Sequence, residues 1–262
     1  MIPNHHRAGT GPPLVLLHGL GHRWQAWSPV IQQLSEHHDV IALDLPGFGK
    51  SPVPPGGMPV GMQATVGAIA GVLDELGLSK PHVAGNSLGG AIALELATAG
   101  RAASATAFSP AGFYTPAEGR RAATILGVMR ATTFQPTPLL RASLRVSRIK
   151  ARSFGPLVVN PERLSHERAV GDALALRGGS GFRSVVRSAR EYSFAGEPRV
   201  AVTVAWGARD HILQPHQAQR AQERLPNARH VELPDCGHVP MSDAPDLVAR
   251  LVLETTGAVA RT

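Results

Sequence analysis

The sequence predicts an α/β fold in which helices cover both faces of a mostly parallel β-sheet. Short apolar runs bounded by turn residues alternate along the chain with longer segments of helical periodicity, which is the order that βαβ units produce. The length of 262 residues and the hydrophobic content of 43% suit one such domain with room for an insertion. No run of about 18 apolar residues is present, so a membrane-spanning helix is not expected.

The first half of the chain contains four candidate strands, each a short apolar run that ends in turn residues. These predicted strands cover residues 12–19, 40–44, 82–87 and 104–112. Residues 62–77 have helical spacing, because Ile69, Val72 and Leu73 fall on one face. A second helix is expected to begin directly after Ser87. The order of these elements is strand, strand, helix, strand, helix, strand.

The second half of the chain returns to this alternation after an interruption. Its predicted elements are a strand at 199–210, a helix at 215–226, a strand at 228–234 and a helix at 244–257. Residues 113–195 break the rhythm, since they combine helical stretches with Arg-rich patches and Gly/Ser breaks. We therefore expect a core built from residues 1–112 and 196–262, with a helical cap inserted at residues 113–195.

Positive charge is concentrated in the cap segment, defined here as residues 113–195. The whole chain has 26 basic and 19 acidic residues, whereas the cap segment has 14 basic and 5 acidic ones. Four of its arginines have the spacing of one helix face: Arg141, Arg145, Arg148 and Arg152. The simplest interpretation of this stripe is a solvated helix face. Attraction of an anionic substrate and weak contact with an anionic lipid surface are two sharper interpretations.

Composition and spacing also limit the partners and the location. The excess of basic over acidic residues does not by itself indicate a nucleic-acid partner. The sequence has no zinc-finger, basic-zipper or RNA-binding aromatic pattern, so nucleic-acid binding is not expected. Its histidine pairs lack metal-ligand spacing, so no metal site is expected. The N-terminus has no apolar leader and Cys236 is the single cysteine, which together favour a cytoplasmic location. A small-molecule substrate is the expected partner.

Residues 85–89, Gly-Asn-Ser-Leu-Gly, place a serine between a predicted strand and a predicted helix. This G-x-S-x-G pattern in this context is typical of a nucleophile elbow, a sharp turn that lifts the serine hydroxyl clear of the sheet. A glycine-rich turn without chemistry gives the same five-residue pattern. Ser87 is therefore a candidate nucleophile that needs a base and an orienting acid elsewhere in the chain.

His238 and Asp210 follow predicted strands, so both are expected at the carboxyl end of the sheet, where ligands of open parallel sheets bind. The chain order Ser87, Asp210, His238 is that of a Ser-Asp-His triad on this kind of sheet. Asp243 and Asp246 stand beside the last predicted helix, where they suit capping and the helix dipole better than a place in the triad.

An oxyanion hole requires two backbone N–H groups aimed at the reacting oxygen. The N–H of Leu88 follows the nucleophile and opens a helix, which makes it one candidate donor. The turn at Gly19 follows the first predicted strand and lets the backbone approach a ligand, so the N–H of Leu20 is the second candidate. We expect His18 to brace this loop.

Five pieces of the sequence, LLHGLG, DLPGFGKS, GNSLGG, WGARD and CGHVP, occur in the order seen in α/β-hydrolase-fold proteins that carry a helical cap. The chain resembles this family over nearly its whole length. The resemblance implies a serine hydrolase that needs no metal or organic cofactor. The family usually has two antiparallel strands before LLHG, but only about a dozen residues precede it here, so we expect the first strand to be absent and the second to be short.

A carboxylic ester is the expected substrate, because the nucleophile is serine. Relatives that act on epoxides or haloalkanes carry aspartate there. Asn86 also resembles the elbow of hydrolases that cleave C–C bonds in ring-fission products, although those enzymes carry tryptophan where this chain has Val239. Perhydrolase or haloperoxidase-like activity would use the same triad, and a non-catalytic ligand-binding homologue would keep only the fold. The candidate substrate-pocket residues are Gly19, Asn86, Phe113, Met129, Phe134 and Val239.

Overall fold

The computed structural model of the protein describes residues 2–189 and 191–258. Seven strands form one sheet in the order β1-β3-β2-β4-β5-β6-β7. Their bounds are β1 His5–Ala8, β2 Pro13–Leu17, β3 Asp39–Leu43, β4 His82–Asn86, β5 Ser104–Phe108, β6 Ala201–Gly207 and β7 Arg229–Leu233. β1 pairs antiparallel with β3, and every other pair is parallel. The predicted α/β class with a mostly parallel sheet is confirmed.

Eleven α-helices are present in the described part of the chain. They are α1 Ser28–Ser35, α2 Gly61–Glu75, α3 Leu88–Thr98, α4 Pro116–Thr132, α5 Thr137–Ser143, α6 Ser147–Phe154, α7 His166–Gly178, α8 Phe182–Ala189, α9 Gln217–Arg224, α10 Pro240–Asp243 and α11 Pro245–Thr256. No helix among the described residues is long and apolar enough to cross a membrane. Helices α4 to α8 all lie between β5 and β6, within the cap segment.

Each inner strand is buried on both faces, which explains why the strands appear in the sequence as continuous apolar runs. In β2, Leu14 and Leu16 pack into one hydrophobic cluster with α1 and α11, while Val15 and Leu17 pack into a second cluster with α2 and α3. Successive side chains point to opposite faces of a strand, so one five-residue run packs against the helices on both faces of the sheet. All four side chains are fully buried.

The N-terminal edge of the sheet is short, as the sequence predicts. β1 has four residues, and its register pairs His5 with Leu43 and Ala8 with Val40. It is the single antiparallel strand in the described part of the chain. Only one strand therefore precedes β2 among the described residues.

The arginine stripe predicted for one helix face is wrong. Helix α5 ends at Ser143 and α6 begins at Ser147, so the four arginines are divided between two helices and the turn that joins them. Arg145 lies in that turn, where its N–H bonds to the carbonyl of Ala142, three residues back, and Val146 has an extended backbone with ψ 114°. The break changes the direction of the chain, so the four guanidinium groups do not share a helix face.

Candidate active site

The order of the strands brings two loops together beside β4. β4 lies between β2 and β5, and the chain moves from β2 to β3 on one side before it returns to β4 on the other. The point where the direction of winding reverses is where open α/β sheets leave a crevice at the carboxyl ends of their strands. The loop that begins with His18 and the turn at Ser87 therefore lie side by side.

Ser87 occupies a backbone conformation that side chains rarely adopt, with φ 56° and ψ −114°. Such a residue costs on the order of 1–3 kcal/mol and persists only where its surroundings hold it. Its N–H donates to the carbonyl of Phe108 at 2.9 Å, and its carbonyl accepts the N–H groups of Ala91 and Ala111. These bonds to β5 and α3 fix the turn, and Ser87 is 9% exposed.

The glycines on either side of this turn are required by close backbone contacts. A Cβ on Gly85 would lie 2.1 Å from the carbonyl oxygen of Gly89. A Cβ on Gly89 would lie 2.1 Å from the carbonyl oxygen of Leu17, in the neighbouring strand β2. The G-x-S-x-G spacing thus follows from the tight packing of the strand, the turn and α3.

Asp210 and His238 are in direct contact at the carboxyl ends of β6 and β7. The distance between His238 Nδ1 and Asp210 Oδ2 is 2.7 Å, and both side chains are buried. The other carboxylate oxygen of Asp210 accepts the N–H groups of Ile212 and Leu213 at 2.8 and 2.9 Å. Since a carboxylate accepts, Nδ1 of His238 is the donor in this bond, which is the tautomer that leaves the lone pair of a neutral imidazole on Nε2.

Asn86 ties the turn at Ser87 to the loop that carries His238. Its side-chain nitrogen donates to the carbonyl of Phe108 at 3.1 Å and to the carbonyl of His238 at 2.8 Å. Both amide donors are therefore used in bonds to the backbone. Asn86 therefore holds the loop of His238 against the end of β5, and this role does not depend on the identity of the substrate.

His18 braces the loop that contains Gly19 and Leu20. Its Nδ1 donates to the carbonyl of Gly19 at 2.7 Å, and its Nε2 accepts the N–H of Leu45 at 3.0 Å. Complete burial lowers the pKa of His18 to about 4, although its bond to Gly19 opposes this shift. The imidazole is therefore held neutral, as its two opposite hydrogen-bonding roles require.

Two cavities meet at Ser87. The larger one, which we call the main cavity, has a volume of about 930 Å³ and is lined by Ser87, His238 and residues of the cap segment. The smaller one, called the side cavity, has a volume of about 60 Å³ and is lined by Ser87, Leu20, Leu88 and apolar residues of α4 and α8. The N–H groups of Leu20 and Leu88 have no acceptor among the described hydrogen bonds.

A family model described as the alpha/beta hydrolase fold matches residues 12–245 of this sequence. The chain belongs to the alpha/beta hydrolase fold family. The resemblance inferred from the five sequence pieces is therefore confirmed at the level of the family and the fold.

A hydrolase and an esterase are similar to parts of the chain. A 2-hydroxy-6-oxo-2,4-heptadienoate hydrolase of Pseudomonas putida is 42% identical over 97 residues, 36% of this chain and 35% of that protein. A pimeloyl-[acyl-carrier protein] methyl ester esterase of Aeromonas salmonicida is 43% identical over 91 residues, 35% of this chain and 34% of that protein. The matched segments thus span about a third of each of these two relatives.

A solved structure supports the fold over the full length of the chain. The thermophilic esterase of Thermogutta terrifontis superposes with a TM-score of 0.75 and 22% sequence identity, covering 98% of this chain and 94% of that one. At this identity the likeness concerns the fold alone.

Four of the six candidate pocket residues of this alpha/beta hydrolase line the main cavity: Gly19, Asn86, Met129 and Val239. The other two do not. Phe113 is buried, and its ring centroid lies 5.6 Å from that of Phe194 and 6.3 Å from that of Trp206. Phe134 is 61% exposed, and the guanidinium of Arg130 lies 5.1 Å from its ring. Local sequence does not show which aromatic rings the cap packs inward.

The interpretation of Asp243 as a helix-capping residue is also wrong. Its carboxylate accepts the N–H of Gly237 and the N–H of Val159, both at 2.9 Å. Gly237 immediately precedes His238, so Asp243 joins the histidine loop to the cap segment. Asp246, in the first turn of α11, accepts a bond from the side chain of Gln33 at 2.6 Å.

A buried ionic cluster that the sequence patterns do not predict joins the cap segment to the core beside the main cavity. Asp172 of α7 accepts bonds from Arg23 at 3.2 Å and from Arg168 at 2.5 Å, and Nε2 of His22 lies 3.5 Å from its carboxylate. Burial by itself raises the pKa of Asp172, but His22 and Arg168 outweigh that effect and hold the pKa well below its ordinary value. Only the spacing of Arg168 and Asp172, four apart on a helix, is visible in the sequence.

Proposed function

We propose that this protein is a serine hydrolase of carboxylic esters, with Ser87 as nucleophile, His238 as general base and acid, and Asp210 as the orienting acid. The observation that carries the proposal is the 2.7 Å contact between His238 and Asp210, combined with the place of Ser87 and His238 on the wall of one cavity. The strained turn at Ser87 supports it, because such strain is common at functional sites.

The proposed reaction starts when Nε2 of His238 takes the proton of the Ser87 hydroxyl, whose oxygen then attacks the acyl carbon. The N–H groups of Leu20 and Leu88 stabilise the negative oxygen that forms. The tetrahedral intermediate then collapses, and His238 returns the proton to the leaving alcohol. A water molecule, activated by the same imidazole, hydrolyses the acyl-enzyme and restores Ser87.

Cleavage of a C–C bond in a ring-fission product is the second candidate. The similarity to the heptadienoate hydrolase favours it, and the similarity to the methyl ester esterase favours the first candidate. The side chain of Asn86, which suggested C–C cleavage in the sequence, makes bonds to the backbone. Val239 stands where C–C hydrolases carry tryptophan. Perhydrolase activity would use the same acyl-enzyme, with peroxide in place of water.

Active-site labelling tests the nucleophile. We expect a fluorophosphonate to label Ser87 stoichiometrically, and we expect Ser87→Ala to remove both the label and the activity. The loss in kcat should be on the order of 10⁴–10⁶-fold, as found when a triad serine is replaced. Absence of labelling in folded protein would show instead a ligand-binding homologue.

The substrate class is tested on the same preparation. A panel of p-nitrophenyl esters of increasing chain length is assayed beside a 2-hydroxy-6-oxo-dienoate, with Ser87→Ala as control. Faster turnover of esters supports the first candidate. Turnover of the dienoate together with negligible ester hydrolysis would replace it by the second.

A further inference from the structure

Two arginines without partners stand at the rim of the main cavity. Arg148 and Arg152 both line this cavity and are exposed. They lie four residues apart on α6, so their side chains occupy the same face of that helix. The main cavity therefore has two guanidinium groups at its outer end and Ser87 at its buried end.

Three other basic residues of the cap segment are engaged in its structure. Arg130 donates to the carbonyl of Leu176 at 3.0 Å, and Arg177 donates to the carbonyl of Gln135 at 2.9 Å. Lys150, which lies between the two rim arginines in the sequence, donates to the carbonyl of Leu164 at 2.7 Å. By contrast, none of the described residues accepts a hydrogen bond from the guanidinium of Arg148 or Arg152.

The acidic residue of the main cavity does not neutralise the rim. Among the described residues, Asp172 is the one acid that lines this cavity. Its carboxylate is already paired with Arg23 and Arg168. The charge that remains available to a ligand in the main cavity is therefore positive.

Apolar side chains form much of the wall of the main cavity. These lining residues include Leu126, Met129, Leu140, Leu144 and Leu176. The rim itself carries Val128 and Ile149, which are 60% and 42% exposed although both are large and apolar. A volume of about 930 Å³ accommodates a ligand far longer than a short-chain ester. This arrangement suits an apolar chain with an anionic group at its far end.

We propose that Arg148 and Arg152 bind a carboxylate at the end of the substrate that is remote from the scissile ester. Two kinds of ester then fit the site: the monoester of a dicarboxylic acid, and the ester formed at the hydroxyl of a hydroxy acid. In both, an apolar chain separates the ester from a free carboxylate. This proposal rests on the proposed ester hydrolysis and names the substrate class of the same site.

The test compares each carboxylate substrate with its terminal amide, which has the same shape and no charge. One pair is a methyl ester of an eight-carbon dicarboxylic acid, and the other is an acetate ester of an eight-carbon ω-hydroxy acid, so either end of the ester may occupy the main cavity. We expect kcat/KM to favour the carboxylate by about tenfold or more, because charge-assisted hydrogen bonds are stronger than neutral ones. The preference should shrink as salt rises.

Charge-matched double variants provide the control. Arg148→Gln with Arg152→Gln should reduce the ratio of kcat/KM for each carboxylate to kcat/KM for its matched amide to about one. Arg141→Gln with Arg145→Gln removes the same charge from exposed positions of the same segment that do not line the cavity, and it should keep the preference. If both double variants lose the preference for the carboxylate equally, the preference comes from the overall positive charge of the cap segment, and the assignment to Arg148 and Arg152 is overturned.

Three further results separate this proposal from competing explanations. Hydrolysis of carboxylates and amides at equal rates refutes the rim site and leaves the proposed function intact. If no ester is hydrolysed, calorimetry with octanedioate and its diamide tests the rim directly, and equal affinity for the two refutes it. Binding to phosphatidylglycerol vesicles that depends on Arg148 and Arg152, without any preference among soluble substrates, would assign the rim to a membrane surface instead.

Discussion

At the scale of single residues, the site depends on a few positions where the backbone leaves no freedom. Ser87 stays in its rare conformation because its N–H and its carbonyl are both bonded to neighbouring elements. Gly85 and Gly89 allow those elements to approach, since a Cβ at either position would overlap with a backbone carbonyl. These requirements are local, which is why the five-residue pattern could be recognised in the sequence.

His18 gives a prediction about stability and pH. The folded state holds this histidine neutral down to a pKa of about 4, whereas an exposed histidine takes up a proton near pH 6.5. The unfolded chain therefore binds more protons in this range, and the free energy of unfolding must fall as the pH drops from about 6.5 towards 4. Denaturant unfolding at several pH values measures this loss.

The matched variant for this prediction is His18→Gln, whose amide can donate to Gly19 and accept from Leu45 without titrating. Because His38 and His82 also have pKa values lowered by burial, they contribute to the acid slope of both proteins. The slope of His18→Gln should be shallower than that of the wild type. Identical slopes would show that His18 is not the residue that resists protonation.

At the scale of elements, the helices and strands of the core agree closely with the sequence prediction, and the cap segment does not. The sequence predicts a strand over residues 82–87, and β4 covers His82–Asn86. The agreement is close because a short apolar run bounded by turn residues is typical of a buried strand. The cap arginines had helical spacing over twelve residues, but the chain breaks at residues 144–146. Exposed helices have weaker periodicity, so their ends are less visible in the sequence.

Asp172 is expected to hold the cap against the core. Its replacement in Asp172→Asn leaves Arg23 and Arg168 half-buried without a counter-charge. Breaking a buried ion pair in this way costs about 3–5 kcal/mol of the free energy of unfolding. The midpoint of denaturant unfolding and the rate of proteolysis within residues 113–195 measure this effect.

A surface pair provides the comparison for this prediction. Asp74 forms an ion pair with Arg101 but its side chain is 61% exposed, so Asp74→Asn should cost no more than about 1 kcal/mol. A similar small effect of both variants would mean that the cluster at Asp172 does not secure the cap.

At the scale of the whole molecule, the substrate site is divided unequally at Ser87. The main cavity has about 930 Å³ and the side cavity about 60 Å³. The side cavity is thus far smaller than the main cavity and has room for only a small group. The protein should therefore favour esters with one small and one large substituent.

Enlarging the side cavity tests this division. Val186 of α8 lines the side cavity and not the main one, and Val186→Ala removes two methyl groups from its wall. With the large substituent fixed, wild-type kcat/KM should fall by about tenfold or more for each methylene beyond the preferred small group. In Val186→Ala the preferred length should increase by one or two carbons. Val128→Ala, on the rim of the main cavity, is the control and should leave the preferred length unchanged.

The sequence by itself determined the family, the layered sheet and the three residues proposed for catalysis, because each depends on short-range patterns. Apolar runs define buried strands, and loops that follow parallel strands meet at one edge of the sheet whatever their distance in the chain. Ser87, Asp210 and His238 could therefore be proposed together although more than one hundred residues separate the first from the last.

Only the tertiary structure decided which cap residues face the substrate. Phe113 and Phe134 looked equally suitable in the sequence, but one packs into the core and the other faces solvent. The four arginines looked equivalent, but only Arg148 and Arg152 line the main cavity. The contact of Asp172 with Arg23 joins residues 149 positions apart. Such contacts depend on how the cap helices pack over the sheet, and helical periodicity carries no information about that packing.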